Sequence, residues 1–313
     1  MTSFLLRRLL TSIPTLLAVI TIAFFMMRIA PGGPFDLERA LPPQIEKNML
    51  AAYDLDQPLY LQYWRYLTGV LQGDFGPSFK YRDFTVAELL ATGFPASLKV
   101  GGTAMLLAIL IGILFGTVAA VRQNSAVDHA VMATAMTGIA IPNFVMAPFL
   151  TLIFGVFLGV LPVAGWGDGA FRNMILPVIA LALPQIAYIA RLTRGSMIET
   201  LGADHIRTAR AKGLSERMVV TRHALQGAIL PVVSYLGPAA AQLISGSLVI
   251  EQIFGIPGIG RYFIQGALNR DYTLVMGTVI VYALLILILN LIVDILYTLL
   301  DPRVQHRADA GST

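Results

Sequence analysis

The stretch Asp204-His-Ile-Arg-Thr-Ala-Arg-Ala-Lys-Gly-Leu214 gathers the side chains of this sequence that are best suited to act on something else. Arg207, Arg210 and Lys212 set three cations just ahead of Gly213, with Thr208, Ala209 and Ala211 between them and Leu214 behind. Cations in that array meet carboxylates, helix C-termini or anionic headgroups, the last worth about 1 kcal/mol each near a charged surface. Bond-making chemistry needs other constellations, and the sequence lacks them. No Gly-x-x-x-x-Gly-Lys-Ser/Thr phosphate loop is present, and Lys212-Gly213 has neither the upstream glycine nor the preceding strand that such a loop requires. Gly-x-Ser-x-Gly, His-Glu-x-x-His and Ser-x-x-Lys are also missing. His129, His205, His223 and His306 are scattered without ligand spacing, and there is no cysteine. The chain is expected to bind no cofactor and to be no enzyme.

The elements that hold this stretch are apolar. Only 13% of the residues are charged, against roughly 25% in a soluble domain, and the mean hydropathy is +0.72. This composition predicts a polytopic membrane protein. A bilayer core takes roughly 20 apolar residues per helix. Six stretches qualify: Leu9–Ala30, Leu98–Val121, Val131–Val160, Met174–Ile189, Ala228–Ile250 and Leu274–Leu299. The third is long enough to tilt or break, and the fourth is short and carries Pro177 and Pro184. The first run exceeds the ~7–15 residues of a signal-peptide core and reads as an uncleaved span. Arg7, Arg8, Arg122, the run from Arg191 to Arg222, Arg303 and Arg307 all fall on one side, which the positive-inside rule makes the cytoplasm.

The expected organisation is a tail and first span over residues 1–30, a polar external segment over 31–95, a transmembrane core over 96–302 with a cytoplasmic loop at 191–227, and a polar tail over 303–313. In the external segment, Gln44–Tyr53 and Leu59–Tyr66 have near-helical apolar spacing. Gly73-Asp-Phe-Gly-Pro-Ser78 is turn chemistry. Pro142, Pro148, Pro177, Pro184, Pro231 and Pro238 predict bent spans. Gly112-x-x-x-Gly116 and Gly155-x-x-x-Gly159 have the spacing that lets helices approach closely. Few ionisable groups lie deep in the spans. Asp294 reads as a structural hydrogen-bond partner, and Arg28 and Lys99 sit where long side chains snorkel.

The basic loop has a grammar of its own. Met197–Lys212 reads as a helix, with Ala209 and Ala211 as strong formers. Gly213 suits a left-handed helix end, and Ser215 is placed to cap a second helix over Glu216–Leu225. Two helices meeting at a basic corner suggest a docking element for a soluble partner. Ala209, Ala211 and Gly213 would leave that partner room for close approach. A loop that only orients the protein would not need this pattern.

Arg207-Thr208-Ala209, Gly213 and His223-Ala-Leu225 resemble the cytoplasmic loop of binding-protein-dependent ABC importer permeases. They depart from the general Glu-Ala-Ala…Gly…Ile-x-Leu-Pro form in the way that the peptide-transporter branch does, with Leu230-Pro231 following later. Phe25-Met-Met-Arg-Ile-Ala-Pro-Gly-Gly-Pro34, Gly73–Lys80, Arg194–Ile198, Phe254–Gly260 and Gly266–Tyr272 extend the resemblance to the oligopeptide members over nearly the whole chain. The resemblance implies an all-α, six-helix, type I ABC importer permease fold with a small external segment between helices 1 and 2. It implies a homologous second permease, two ATP-binding subunits that carry the ATP and magnesium, an extracytoplasmic peptide-binding protein and a peptide substrate, in a bacterial inner membrane, with no nucleic acid. Arg207 through Leu214 would form the ATPase-coupling loop. Arg261, Arg270 and Asp271 are candidates for contact with the binding protein, in a segment that equally suits a re-entrant packing loop. Permeases for dipeptides, nickel, glutathione or a peptide antibiotic stay open. An ion-coupled carrier would need midplane carboxylates, and an intramembrane enzyme a catalytic pair; neither is found.

Overall fold

The computed structural model describes residues 2–29, 33, 43–81 and 83–300. The opening of the external segment, the Pro31-Gly-Gly-Pro34 end of its first motif (apart from Gly33), Arg303, Arg307 and the 303–313 tail lie outside the described residues. Among the described residues the chain is helical, with one isolated bridge between Pro77 and Thr85. Four helices are long and apolar enough to cross a membrane: α1 (Thr2–Ile29), α4 (Val86–Val121), α7 (Phe171–Leu201) and α13 (Tyr272–Leu300). Two bent pairs raise the number to six if each makes one crossing. The chain groups into two compact units, one of Leu98–Gly255 with the end of α13 from Ile286, the other of Leu6–Ser97 with Ile256–Leu285.

In the second unit, α2 (Pro43–Ala52) and α3 (Leu59–Leu71) follow the predicted apolar spacing. Arg28 does not snorkel freely: its Nε donates to Gln62 Oε1 at 3.0 Å and its guanidinium lies 4.6 Å from the Phe24 ring. Helix α4 begins twelve residues before the predicted span. Thr85 and Glu88 explain the early start, because Thr85 Oγ1 accepts from the Glu88 N–H while the Glu88 carboxylate accepts from the Thr85 N–H at 2.8 Å. This reciprocal pair nucleates the helix, which then runs through Pro95 at the cost of one backbone bond. At 36 residues α4 measures about 54 Å, well beyond a bilayer core of about 30 Å.

In the first unit, the third predicted span is two helices, α5 (Ala126–Ala140) and α6 (Asn143–Leu150), bent by 105° at Ile141-Pro142. The second continues as a π-turn over Thr151–Phe157. Helix α7 is twice the predicted length. It carries Pro177 and Pro184 inside and extends through Arg191 and Arg194 into what reads as loop. It is the central element, packed by α5, α6 and the helices that follow. A Cβ on Gly116 would stand 2.5 Å from Ala190 O, and one on Gly112 2.7 Å from Ile189, so this pair seats α4 on α7 within the subunit. Gly155 and Gly159 do not act as a second such pair: Gly155 faces Val163 in its own connection and Gly159 has φ +61°. Lys99 is held in place, its Nζ donating to Gly169 O at 2.7 Å.

One ion pair ties α5 to α7. Arg194 Nε and Nη2 donate to Asp128 Oδ1 and Oδ2, both at 2.7 Å. Asp128 Oδ2 also accepts from the Asn124 N–H at 2.8 Å, and Ser125 Oγ caps α5 through the Asp128 N–H. The Asp128 side chain is 3% exposed and that of Arg194 is 28% exposed. Removing one partner of a buried pair leaves the other charge uncompensated. Asp128→Ala is therefore expected to destabilise the protein by about 2 kcal/mol, somewhat less than a wholly buried pair because Arg194 is partly wetted. Thermal melting in detergent checks this, with Asp128→Asn losing less than Asp128→Ala.

Candidate functional site

The predicted helix Met197–Lys212 is two helices. Helix α7 stops at Leu201, where Gly202 and Ala203 close tight turns onto Glu199 O and Thr200 O. Helix α8 (Asp204–Ala211) then starts afresh, with Asp204 in its first turn. The separation follows from Gly202, a poor interior helix residue, and from Asp204, which favours a helix start.

Helix α8 ends in a Schellman turn. Gly213 has φ +77°, its N–H donates to Arg210 O at 2.9 Å, and the Leu214 N–H reaches back to Ala209 O at 3.4 Å. The left-handed residue is the reason for a glycine here. A Cβ on Gly213 would meet nothing within 4 Å, so the residue serves the turn and not close packing. After the turn, α9 (Glu216–Met218) runs through a π-turn over Val219–Ala224 into α10 (Leu225–Ala228). Ser215 does not cap with its hydroxyl; its carbonyl accepts the Val219 N–H at 3.0 Å.

An apolar seat holds this corner. Ile206, Val219, Ala224, Ala228 and Met197 are fully buried, with Ala209 and Ala120 nearly so, and Leu214 packs on the same cluster. Ala209 is thus consumed inside the subunit instead of offering close approach to a partner. The opposite face of α8 is exposed and bears His205, Arg207, Thr208, Arg210 and Ala211, followed by Lys212. Arg207 lies 3.3 Å from Asp204 within the helix. Arg210 clasps Glu216 across the turn, Nη2 to Oε1 at 2.7 Å and Nε to Oε1 at 3.0 Å. That hydrogen bond holds the Glu216 carboxyl below the usual carboxylate range and raises the Arg210 guanidinium further. Lys212 has no ion-pair partner among the described residues. The eight predicted residues therefore share one corner, with two of three cations already committed within it.

The other predicted contacts do not form one surface. The connection between α11 (Leu230–Phe254) and α13 folds as α12 (Ile259–Leu268), packed through buried Ile259, whose N–H donates to Ser97 Oγ at 2.9 Å. Arg261 is half-buried and Arg270 is exposed at φ +57°. Asp271 is fully buried, which removes it from any contact surface. Its Oδ2 accepts from the Ser78 hydroxyl and the Phe79 and Lys80 N–H groups, and its Oδ1 accepts from the Thr273 hydroxyl and the Leu274 N–H. It caps α13 and fixes the 73–80 turn. Sequence reasoning missed the Asp128–Arg194 pair, whose only trace is an acid three residues after Ser125 at the entry to an apolar run.

Residues 112–306 match the family described as binding-protein-dependent transport system inner membrane component, and residues 1–101 match the N-terminal part of such a membrane component. The oligopeptide transport system permease protein OppB of Salmonella typhimurium is 54% identical over 306 residues, covering 98% of this chain and 100% of that protein. OppB of Escherichia coli K12 is 53% identical over the same shares. The dipeptide transport system permease protein DppB of Bacillus subtilis is 43% identical, over 97% of this chain and 98% of its own. Among solved structures, an inward-facing MetNI methionine ABC transporter superposes with TM-score 0.56 at 17% identity, over 68% of this chain and 96% of that one. An amino acid ABC transporter gives 0.50 at 18% identity, over 69% and 94%. These likenesses carry the type I importer fold. The chain belongs to the family of binding-protein-dependent transport system inner membrane components: it is an OppB-like, multi-pass inner-membrane permease subunit of an ABC importer, a transport component rather than an enzyme.

Proposed function

We propose that this permease imports oligopeptides released to it by an extracytoplasmic binding protein. It pairs with a homologous second permease and is driven by two ATP-binding subunits that hold the ATP and magnesium; this chain binds neither. The observation that carries the coupling role is the corner at Gly213. It is closed by the Arg210–Glu216 contact, seated on a buried cluster, and presents a basic face. The full-length likeness to OppB proteins supports oligopeptides over the dipeptides named for the more distant DppB relatives. The excess of Lys and Arg at the chain start and from Arg191 to Arg222 supports termini and corner in the cytoplasm.

The proposed stroke follows from the packing. ATP draws the two ATPases together and shifts α8. Because Ile206, Ala209 and Leu214 share a core with Met197 and Val219, α8 moves with the end of α7 and not by itself. The Asp128–Arg194 pair passes the displacement to α5, and the permease pair turns from inward- to outward-facing. Lys212 and Arg207 supply contacts to acidic groups on the ATPase, while Arg210 keeps the turn closed.

Purification in mild detergent should retain two ATP-binding subunits and a second permease, and the reconstituted complex should take up tripeptides only with ATP and binding protein present. Full-rate uptake by this chain alone in vesicles would refute the reading. Gly213→Val places a β-branched residue at φ +77°, a strain of about 1–3 kcal/mol; uptake per ATP hydrolysed should fall severalfold, while Gly213→Asn, which tolerates that backbone, should retain most of it. The Arg210–Glu216 clasp should depend on pH. Because the folded carboxyl titrates below its unfolded value, the clasp is fully present above about pH 4.3 and is lost as pH falls through the lower folded value. The chain has no cysteine, so spin labels at His205→Cys and Arg217→Cys report it directly. The distance distribution should broaden toward pH 3, and Glu216→Gln should be broad throughout.

A further inference from the structure

Most membrane-spanning faces of this chain are plainly apolar outside. On α13 the exposed side reads Leu284, Ile288, Ile292 and Leu296, at steps of four. Helix α11 differs. Over its first half the exposed positions Pro231, Ser234, Pro238 and Gln242 also follow helical spacing, and none is a large aliphatic residue; the exposed aliphatic Val249 comes two turns later. Polar side chains on a spanning helix face protein or a wet cavity and not lipid.

A cavity of about 240 Å³ opens beside this stripe, walled by the α5–α6 break, α7 and α11. It has room for about eight waters at ~30 Å³ each. Its polar wall is a set of neutral groups with capacity to spare. Gln185 is 3% exposed; its Nε2 donates to Gln242 Oε1 at 3.1 Å, and its Oε1 accepts from the Tyr235 hydroxyl at 3.0 Å. That fixes the two amides head to tail and leaves the Gln242 Nε2 donating to nothing among the described residues. The Tyr188 hydroxyl and the Asn143 amide, both lining the cavity, likewise have no described partner. Pro142 has no N–H, so the Gly138 carbonyl at the break has no helical donor. None of the residues lining the cavity is charged. The nearby Arg191 guanidinium sits 5.3 Å from the Tyr188 ring centroid, outside that lining.

Gln242 is exposed and Asn143 and Tyr188 are partly exposed, so these donors and acceptors are open to a ligand that can pair with them. Here they are amides and hydroxyls, of both hydrogen-bonding senses, with no formal charge. The ligand that matches them is another amide. Resting on the peptide reading above, we propose that this cavity and the Gln242 stripe of α11 form a passage subsite that holds the main chain of the translocated peptide. Gln242 Nε2 and Tyr188 Oη donate to peptide carbonyls, the Gly138 carbonyl and the Asn143 amide oxygen accept from peptide N–H groups, and Gln185 with Tyr235 orients Gln242. The absence of charge makes the subsite indifferent to the charge of the peptide's side chains.

The test uses the complete transporter in proteoliposomes with tri-alanine, tri-lysine and tri-glutamate. Gln242→Leu should reduce uptake of all three by a similar factor of about tenfold, the cost of one or two hydrogen bonds unmade. ATP hydrolysis stimulated by the binding protein should persist, and Ile288→Ala on the α13 face should be neutral. Gln242→Glu should introduce selection, raising the tri-lysine to tri-glutamate uptake ratio severalfold, a result that a merely structural Gln242 would not give. Unaltered uptake in Gln242→Leu, or an unaltered ratio in Gln242→Glu, overturns the subsite while leaving the peptide permease intact. A wild-type complex that hydrolyses ATP but carries none of the three peptides overturns both readings.

Discussion

Asp128 and Arg194 impose the constraint on which the Leu98–Gly255 unit depends. A guanidinium fork on a carboxylate fixes direction as well as distance, so the pair sets how α5 leaves its first turn relative to α7. Asp128 is nearly buried and Arg194 only partly wetted, so the pair is not readily traded for water. The orientation of α5 then decides where its far end meets Pro142 and how the bend there opens. The same α7 carries the Met197 cluster that seats α8. One contact thus relates the bend in the membrane to the basic corner beyond it.

The breaks in the helices are each compensated locally. Ser125 caps α5, Gly213 closes α8 by a Schellman turn, and Gly255 ends α11 at φ +64°. The prolines inside helices, Pro95, Pro177, Pro184 and Pro238 among them, each leave one carbonyl without its helical donor, as Pro142 does at the bend.

Length and hydropathy made the six apolar stretches legible, and the glycine grammar made the corner legible down to the residue in the left-handed conformation. What escaped the sequence were features that depend on pairings distant along the chain. Asp128 and Arg194 are 66 residues apart, and nothing local to either names the other. Asp271 looked like a surface charge because its segment is rich in Gly and Pro and also carries Arg261 and Arg270; its burial follows from backbone N–H groups nearly 200 positions earlier. Helix limits failed where capping overrode composition. Thr85 and Glu88 start α4 within residues that read as external loop, and Gly202 divides a stretch that reads as one helix. The seat beneath α8 was also hidden, since Ala209 and Ile206 on a short polar helix look like ordinary helix formers until Val219 and Ala224 fold beneath them.

The burial of Asp271 carries a mechanical consequence. One carboxylate collects the main chain of the 78–80 turn on one oxygen and the opening turn of α13 on the other. The 78–80 turn and the start of α13 are therefore clamped at a shared point, so a force on that turn is passed to the root of α13.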